Sequence, residues 1–344
     1  HRRWFRAHRC VPVQVVCAGP PNRRCAVSNS ATEPRVFTIE GPGSWRTRAL
    51  NLVLRLASGS TLNPDADVAA LRERYERLDA RCFPLHRSVR REAVDCDGVP
   101  AHWVSVPQSL PGRTLFYLHG GSFAFRFPNA QTAFAARLCR QLRASALVPD
   151  YRLAPEHPFP AAPDDCLRAW QWALAHGCQP AQTVFVGESA GGTLSLVTLN
   201  RSLRHHQPLP ACAVLLSPAV DCTLGSPSLT DNHRFDAVLS LPRLVALRQG
   251  YVPDPELYRH PDVSPYFADY TGFPPMFMQA GSTEMLRDEA LRVADKAHAA
   301  GVDVEVELWP GVPHAFQLAG FLPEAARALE RITAFVVART GWRD

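Results

Sequence analysis

The spacing of apolar positions changes character three times along the chain. Residues 1–43 show no sustained period and are rich in Arg, Pro, Ser and Gly, the pattern of a basic, disordered extension. Helical spacing begins at 44. Over 44–56, Leu50, Val53 and Leu54 fall on one face; after Pro64, Val68, Leu71, Tyr75 and Leu78 recur at intervals of three and four. Two short alternating runs, 89–94 and 101–106, then flank Asp97-Gly98 and predict a hairpin.

From there apolar β-branched runs alternate with helical stretches. Strands are predicted over 114–118, 146–148, 184–186, 213–216, 275–279 and 302–308. Between them, Phe134, Leu138 and Leu142 share one helix face and Leu167, Trp170 and Leu174 another. Further helices follow residue 193 and span about 286–300, and a last one carries Ala325, Leu329, Ile332 and Val336 on one stripe. An antiparallel start followed by strand–helix alternation specifies an α/β fold with a mostly parallel, eight-stranded sheet flanked by helices. The less regular stretch 223–273, with a helical segment at 241–247, falls outside the alternation. The organisation expected is an extension over 1–43 and one catalytic domain over 44–344. A helical cap from about 44–82 and about 223–262 would cover the C-terminal strand ends, where open α/β sheets bind ligands.

Composition narrows the class. The 344 residues are 46% hydrophobic and 20% charged, which suits a globular core, and no run reaches the roughly 20 apolar residues of a membrane span. The net charge is +5, and Arg2, Arg3, Arg6, Arg9, Arg23 and Arg24 all precede the first acidic residue, Glu33. Without them the body is nearly balanced, which argues against a nucleic-acid partner. Ten cysteines, none in a Cys-x-x-Cys pair, read as buried thiols in a cytoplasmic protein. The basic start followed by apolar residues 11–18 is signal-like, but Pro12 and Gln14 interrupt it. Export is therefore the second expectation. The sequence leaves the oligomeric state open, a homodimer included.

The chemistry begins at Gly187-Glu188-Ser189-Ala190-Gly191-Gly192, between an apolar strand and a helical pattern. Chance supplies a Gly-x-Ser-x-Gly roughly 0.1 times in a chain of this length, and seldom in that context. In a nucleophile elbow the serine stands at the apex of a strained strand-to-helix turn. A serine hydroxyl needs a base, the base an orienting carboxylate, and the tetrahedral intermediate donors for its oxyanion. His314, in a Pro/Gly loop after the last strand, is the candidate base. Glu284, nearest the end of strand 275–279, is the candidate acid, with Asp288 as the alternative. Gly120, Gly121 and the residue after the nucleophile, Ala190, are the candidate oxyanion hole. Phe123, Phe125 and Phe127 beside that loop belong either to the core or to an apolar substrate pocket. His157 and His205-His206 lack metal-ligand spacing, so neither metal nor other cofactor is expected.

Together His119-Gly120-Gly121, the block Asp150-Tyr151-Arg152-Leu153-Ala154-Pro155-Glu156-His157-Pro158-Phe159-Pro160, the elbow and Pro313-His314-Ala315-Phe316 make the chain resemble the hormone-sensitive-lipase-like family of α/β-hydrolase esterases. The resemblance covers about 50–340. It implies the α/β-hydrolase fold, a Ser189–Glu284–His314 triad, an oxyanion hole at Gly120, Gly121 and Ala190, and a helical cap. It also implies hydrolysis of small carboxylic esters, with short to medium acyl chains, through an acyl-enzyme. Two positions depart from the family pattern. Ser122 replaces the third glycine of the oxyanion run, and Glu284-Met285-Leu286 replaces the usual Asp-Pro-Leu. Acyl transfer or amide cleavage on the same triad, and a non-catalytic binding module, are the alternative functions.

Overall fold

The computed structural model describes residues 34–58 and 67–342. The six early arginines, the signal-like run and Pro64 lie outside the described residues. One sheet runs through the molecule in the order β1-β9-β8-β7-β6-β4-β5-β3-β2. Its strands are β1 (Arg35–Thr38), β2 (Arg90–Asp95), β3 (Pro100–Ser105), β4 (Thr114–Leu118), β5 (Ser145–Pro149), β6 (Thr183–Glu188), β7 (Cys212–Leu216), β8 (Met276–Gly281) and β9 (Val304–Trp309). The pairs β2/β3 and β3/β5 are antiparallel and the rest parallel.

The expected eight-stranded sheet therefore has nine strands. The addition is β1, inside the stretch 1–43 that the sequence pattern assigns to a disordered extension. It pairs with β9 in the register Arg35↔Glu305 to Thr38↔Leu308. Arg35 ties the edge down by reaching Asp303 at 2.5 Å and Glu305 at 2.9 Å. Four half-exposed residues ordered by a partner about 270 positions away carry no local period to read.

The helices are α1 (Trp45–Ser58), α2 (Val68–Cys82), α3 (Pro128–Leu142), α4 (Ala161–Ala175), α5 (Ala190–Arg204), α6 (Ser228–Asp231), α7 (Leu241–Tyr251), α8 (Arg287–Ala299) and α9 (Pro323–Thr340). The central strands are apolar throughout because both of their faces are covered. Phe116, Leu118, Phe185, Ala213 and Leu215 meet Trp170 of α4 and Leu194 of α5. The intervening residues Leu115, Tyr117, Val184, Val186 and Val214 meet Phe134 and Leu138 of α3 and Ile332 and Val336 of α9.

Above the strand ends lie α1, α2 and α7. Asp67 caps α2 by accepting from the N–H groups of Ala69 and Ala70. Val68, Leu71 and Tyr75 pack with Phe125 and Leu247, while Leu78, expected on the same face, is exposed. Asp79 of α2 accepts from the N–H groups of Asn129 and Ala130, a carboxylate at the N-terminus of α3 that docks the two helices. On α1, Leu50 and Leu54 turn inward, but Val53 does not; it is 61% exposed beside Leu52 and Leu56.

Candidate active site

Strand β6 delivers Ser189 to the turn into α5 at φ 55°, ψ −121°, a conformation rare for any residue with a side chain. Close packing on both sides holds it there. A Cβ on Gly187 would stand 2.3 Å from the carbonyl oxygen of Gly191, and one on Gly191 would stand 1.9 Å from that of Leu118. The Ser189 N–H donates to the carbonyl of Leu216 at 2.8 Å. Strain is sustained because core strands over-determine the turn.

His314 lies in the loop after β9, and its Nδ1 is 2.8 Å from Oε2 of Glu284, which follows β8. The other carboxylate oxygen, Oε1, accepts from Ser217 Oγ at 2.8 Å and from the Gly281 N–H. Ser217 was not singled out from sequence. It sits one residue past β7 at φ 47° and is also approached by the Ala315 N–H at 3.4 Å. Burial disfavours the His314 imidazolium, but the hydrogen bond and charge of Glu284 outweigh it, so the histidine pKa lies above its ordinary value. Burial raises that of Glu284, with His314 pulling the other way. Since Oε2 is an acceptor, the proton between the two belongs on Nδ1, leaving Nε2 free to accept.

Asp288, the alternative acid, faces elsewhere. It accepts from the Ser228 N–H at 2.9 Å and from Arg287 Nε at 2.7 Å, joining α8 to α6. Glu284 also has its own peptide held, because Asn232 Nδ2 donates to its carbonyl at 2.7 Å and Asp236 accepts from the next N–H at 2.8 Å.

The glycine loop after β4 passes directly over the elbow. A Cβ on Gly120 would stand 2.5 Å from the Glu188 carbonyl oxygen. One on Gly121, at φ +119°, would stand 2.0 Å from that of Phe125. Ser122 and Phe123 follow at φ 54° and 60°. Ser122 thus occupies a left-handed conformation that a glycine would take without strain. Ala190 opens α5, where the first N–H groups have no partner within the helix. Beneath the loop, Gln131 Nε2 donates to Glu188 Oε1 at 3.0 Å and to the Gly120 carbonyl at 3.3 Å. Burial pushes the Glu188 carboxyl up to about 8, more than Gln131 pulls it down, so it is protonated at neutral pH. Gln131 and Glu188 carry no sequence signal beyond their neighbourhood.

The Asp150–Pro160 block braces this loop from the other side. Tyr151 stacks on His119 at 4.3 Å and donates to the His119 carbonyl at 2.6 Å. Arg152 pairs with buried Asp165 through two nitrogens, and Arg72 of α2 bridges Glu156 and the carbonyls of Ala124 and Ala154.

Ser189 opens on two cavities. The larger, about 340 Å³, includes Gly120, Gly121 and His314 in its walls, together with Leu50, Leu54, Phe125 and Phe127. The smaller, about 60 Å³, is walled by Phe123, Ala190, Ala219, Leu224, Tyr251 and Leu286. The three phenylalanines thus serve in both capacities offered by the sequence: Phe123 stacks on Tyr251 at 3.7 Å and Phe125 packs on Tyr75, and all three line substrate-sized space.

A hydroxyl at a strained apex, an imidazole pinned by a buried carboxylate and a glycine loop overhead form the arrangement that acyl transfer to serine requires. Comparison with known proteins agrees. A family model described as the alpha/beta hydrolase fold matches residues 115–318. An acetyl-hydrolase of Streptomyces hygroscopicus is 37% identical over 244 residues, 70% of this chain and 80% of that protein. An esterase of Acinetobacter venetianus is 33% identical over 287 residues, 83% and 93% of the two chains. A crystal structure of an esterase from the bacterial hormone-sensitive lipase family superposes with a TM-score of 0.82 at 32% identity, over 87% of this chain and all of the other.

Proposed function

This chain belongs to the hormone-sensitive-lipase-like family of α/β-hydrolase esterases, and we propose that its catalytic triad is Ser189, His314 and Glu284. It is an ester-cleaving serine hydrolase acting on small molecules. The observation that carries the triad is the 2.8 Å bond from His314 Nδ1 to Glu284, with His314 and Ser189 lining one cavity.

In the proposed reaction His314 Nε2 takes the Ser189 proton as Oγ attacks the ester carbonyl. The oxyanion settles against the backbone N–H groups of the 120–121 loop and Ala190. The imidazolium, steadied by Glu284, gives its proton to the leaving alkoxide and leaves an acyl-serine. Water activated by the same nitrogen releases the acid. Ser217 acts through Glu284 by fixing which oxygen faces the histidine. The substrates proposed are carboxylic esters of short to medium acyl chain, supported by the mostly apolar walls of the cleft. α1, α2 and α7 are assigned to the cap over it.

The test is turnover of p-nitrophenyl acetate and butyrate with and without added alcohol. Acid release that alcohols divert only slightly supports hydrolysis; predominant ester exchange would make the protein an acyltransferase. We also assign it to a reducing compartment, the cytoplasm. The seven described cysteines are free, and burial pushes the thiols of Cys96, Cys139, Cys212 and Cys222 up to about 12. No described helix is long and apolar enough to cross a membrane. Recovery in the periplasmic or culture fraction instead of the cytosolic one would overturn that assignment.

A further inference from the structure

We infer that the outer face of α1 is a docking surface for an anionic lipid bilayer, and that docking brings the mouth of the large cavity to the lipid. The inference stands apart from the triad and does not depend on it. It starts from the three faces of the helix. Thr47, Leu50, Asn51 and Leu54 turn toward the body: Thr47 is buried, Asn51 donates to the Gly311 carbonyl, and Leu50 and Leu54 line the large cavity. That face already supplies what a helix needs to pack on a domain. Trp45, Ala49, Leu52, Val53 and Leu56 nevertheless form a second apolar stripe, at i, i+4, i+7, i+8 and i+11, and all five are exposed. Arg48 and Arg55 run along one border of the stripe and Arg46 lies on the other, with no acidic residue in the helix.

Folding does not account for this stripe. Helix α2 shows an ordinary solvent face: its exposed residues include Glu73, Arg74, Arg77 and Arg81, of both signs, and Glu73 pairs with Arg77 at 3.3 Å. On α1 the outward positions hold large apolar side chains instead, with Leu56 73% and Trp45 69% exposed. Two further rings adjoin the stripe through hydrogen bonds of α1 itself. Arg46 donates to the Phe321 carbonyl and Arg55 to that of Phe235, and both phenylalanines are 54% exposed. Phe321 also lines the large cavity, so the patch continues into its mouth.

Charge names the occupant. The partners of Arg46 and Arg55 are neutral carbonyls, so the stripe keeps its positive border. An apolar stripe with a tryptophan at one end and arginines along both borders is the pattern of a helix lying in the plane of a bilayer. Its apolar side chains enter the acyl boundary while the guanidinium groups stay among the headgroups. A second copy of the chain docked on the same face would set these arginines against one another. The sequence leading into α1 carries the same sign, since Arg2, Arg3, Arg6, Arg9, Arg23 and Arg24 precede the first acidic residue, Glu33. Anionic headgroups strengthen binding about fivefold for each arginine held near the surface.

The experiment uses the whole protein and co-sedimentation with vesicles of phosphatidylcholine, either alone or with about one-third phosphatidylglycerol. The anionic vesicles should bind about tenfold or more tightly than the neutral ones, and the difference should shrink as salt is raised. Leu52→Glu combined with Leu56→Glu should weaken binding to anionic vesicles about tenfold or more. Thermal melting and vesicle-free turnover of p-nitrophenyl butyrate should stay unchanged in that variant, since both side chains are exposed and neither lines either cavity. Arg48→Gln should weaken binding about fivefold on anionic vesicles, with little change on phosphatidylcholine. Failure of the wild type to sediment with anionic vesicles overturns the inference. So does binding that the leucine pair does not weaken, because the arginines of residues 1–33 would then hold the vesicle without α1. A wild-type dimer in light scattering that the Leu52→Glu, Leu56→Glu protein loses also overturns it, because a second copy would then cover the stripe.

Discussion

The elbow, residues 183–200, and helix α1 face the same cavity and are held by different forces. The elbow is buried along its whole length, locked by glycine contacts that leave no space for a Cβ. Helix α1 presents Leu50 and Leu54 inward, yet Trp45, Leu52, Val53 and Leu56 are 59–73% exposed. Its attachments are largely polar and to loops. Asn51 donates to the Gly311 carbonyl at 2.8 Å, Arg46 to that of Phe321 at 3.0 Å and Arg55 to that of Phe235 at 2.8 Å. A strained nucleophile has to be carried by a core that cannot relax around it. A surface that admits and releases substrate is better held by contacts that open at low cost. Reaction rate should therefore depend on the floor, and selectivity on the cap.

The sharpest break is at the apex. Ser189→Ala should cost on the order of 10⁶ in kcat, the scale seen for an unrelated triad enzyme, read as turnover of p-nitrophenyl butyrate by the folded variant. Next is the carboxylate. Glu284→Gln should cost on the order of 10⁴ in kcat, since the amide supports the wrong imidazole tautomer. The acid limb of kcat/KM sharpens this point. Activity requires neutral His314, and Glu284 raises its pKa, so wild-type activity should be lost as pH falls through a value above the ordinary histidine value. In Glu284→Gln that limb should move to lower pH. Asp288→Asn should leave the limb in place and cost less than about tenfold, because Asp288 serves α6 and not the histidine. A larger loss at 288 than at 284 would reverse the assignment.

Gly121→Ala should cost about 10²–10³ in kcat, the price of one oxyanion donor, because its Cβ meets the Phe125 carbonyl and the loop has to shift. Across the cavity the effects shrink. Leu54→Ala should change kcat/KM for bulky acetates by no more than about fivefold and kcat hardly at all, with stability unmoved in thermal melts. A kcat loss comparable with that of Gly121→Ala would erase the distinction between floor and cap.

A separate effect is one of stability. The Glu188 carboxyl is raised to about 8 in the folded protein because it is buried. Its contribution is complete at pH below the unfolded carboxylate value and is lost as pH rises through about 8. Glu188→Gln keeps the shape without the charge, so its Tm should gain on the wild type between about pH 5 and 8. A pH-independent difference would mean that Glu188 is not buried as an acid.

The same contrast explains what was legible in the sequence. The elbow could be read because close approach leaves glycines at fixed offsets, and the strand–helix alternation because each central strand is apolar on both faces. His314 and Glu284 followed from chain order and from their places after strands. Glu284 and Asp288 lie one helical turn apart, and only the direction of each side chain separates them. Ser217 and Gln131 act through contacts 67 and 57 positions away, which no local pattern encodes. Val53 misled because α1 carries apolar residues around its circumference. β1 was missed because four residues at a sheet edge take their order from β9.

The central claim, that Ser189 is the nucleophile of an acyl-enzyme, is tested most directly by inactivating the protein with a fluorophosphonate and mapping the adduct by peptide mass spectrometry. The expected result is one adduct, on the peptide containing Ser189, formed in parallel with loss of ester turnover and absent from Ser189→Ala. An adduct on another residue, or full inactivation with Ser189 unmodified, would contradict it.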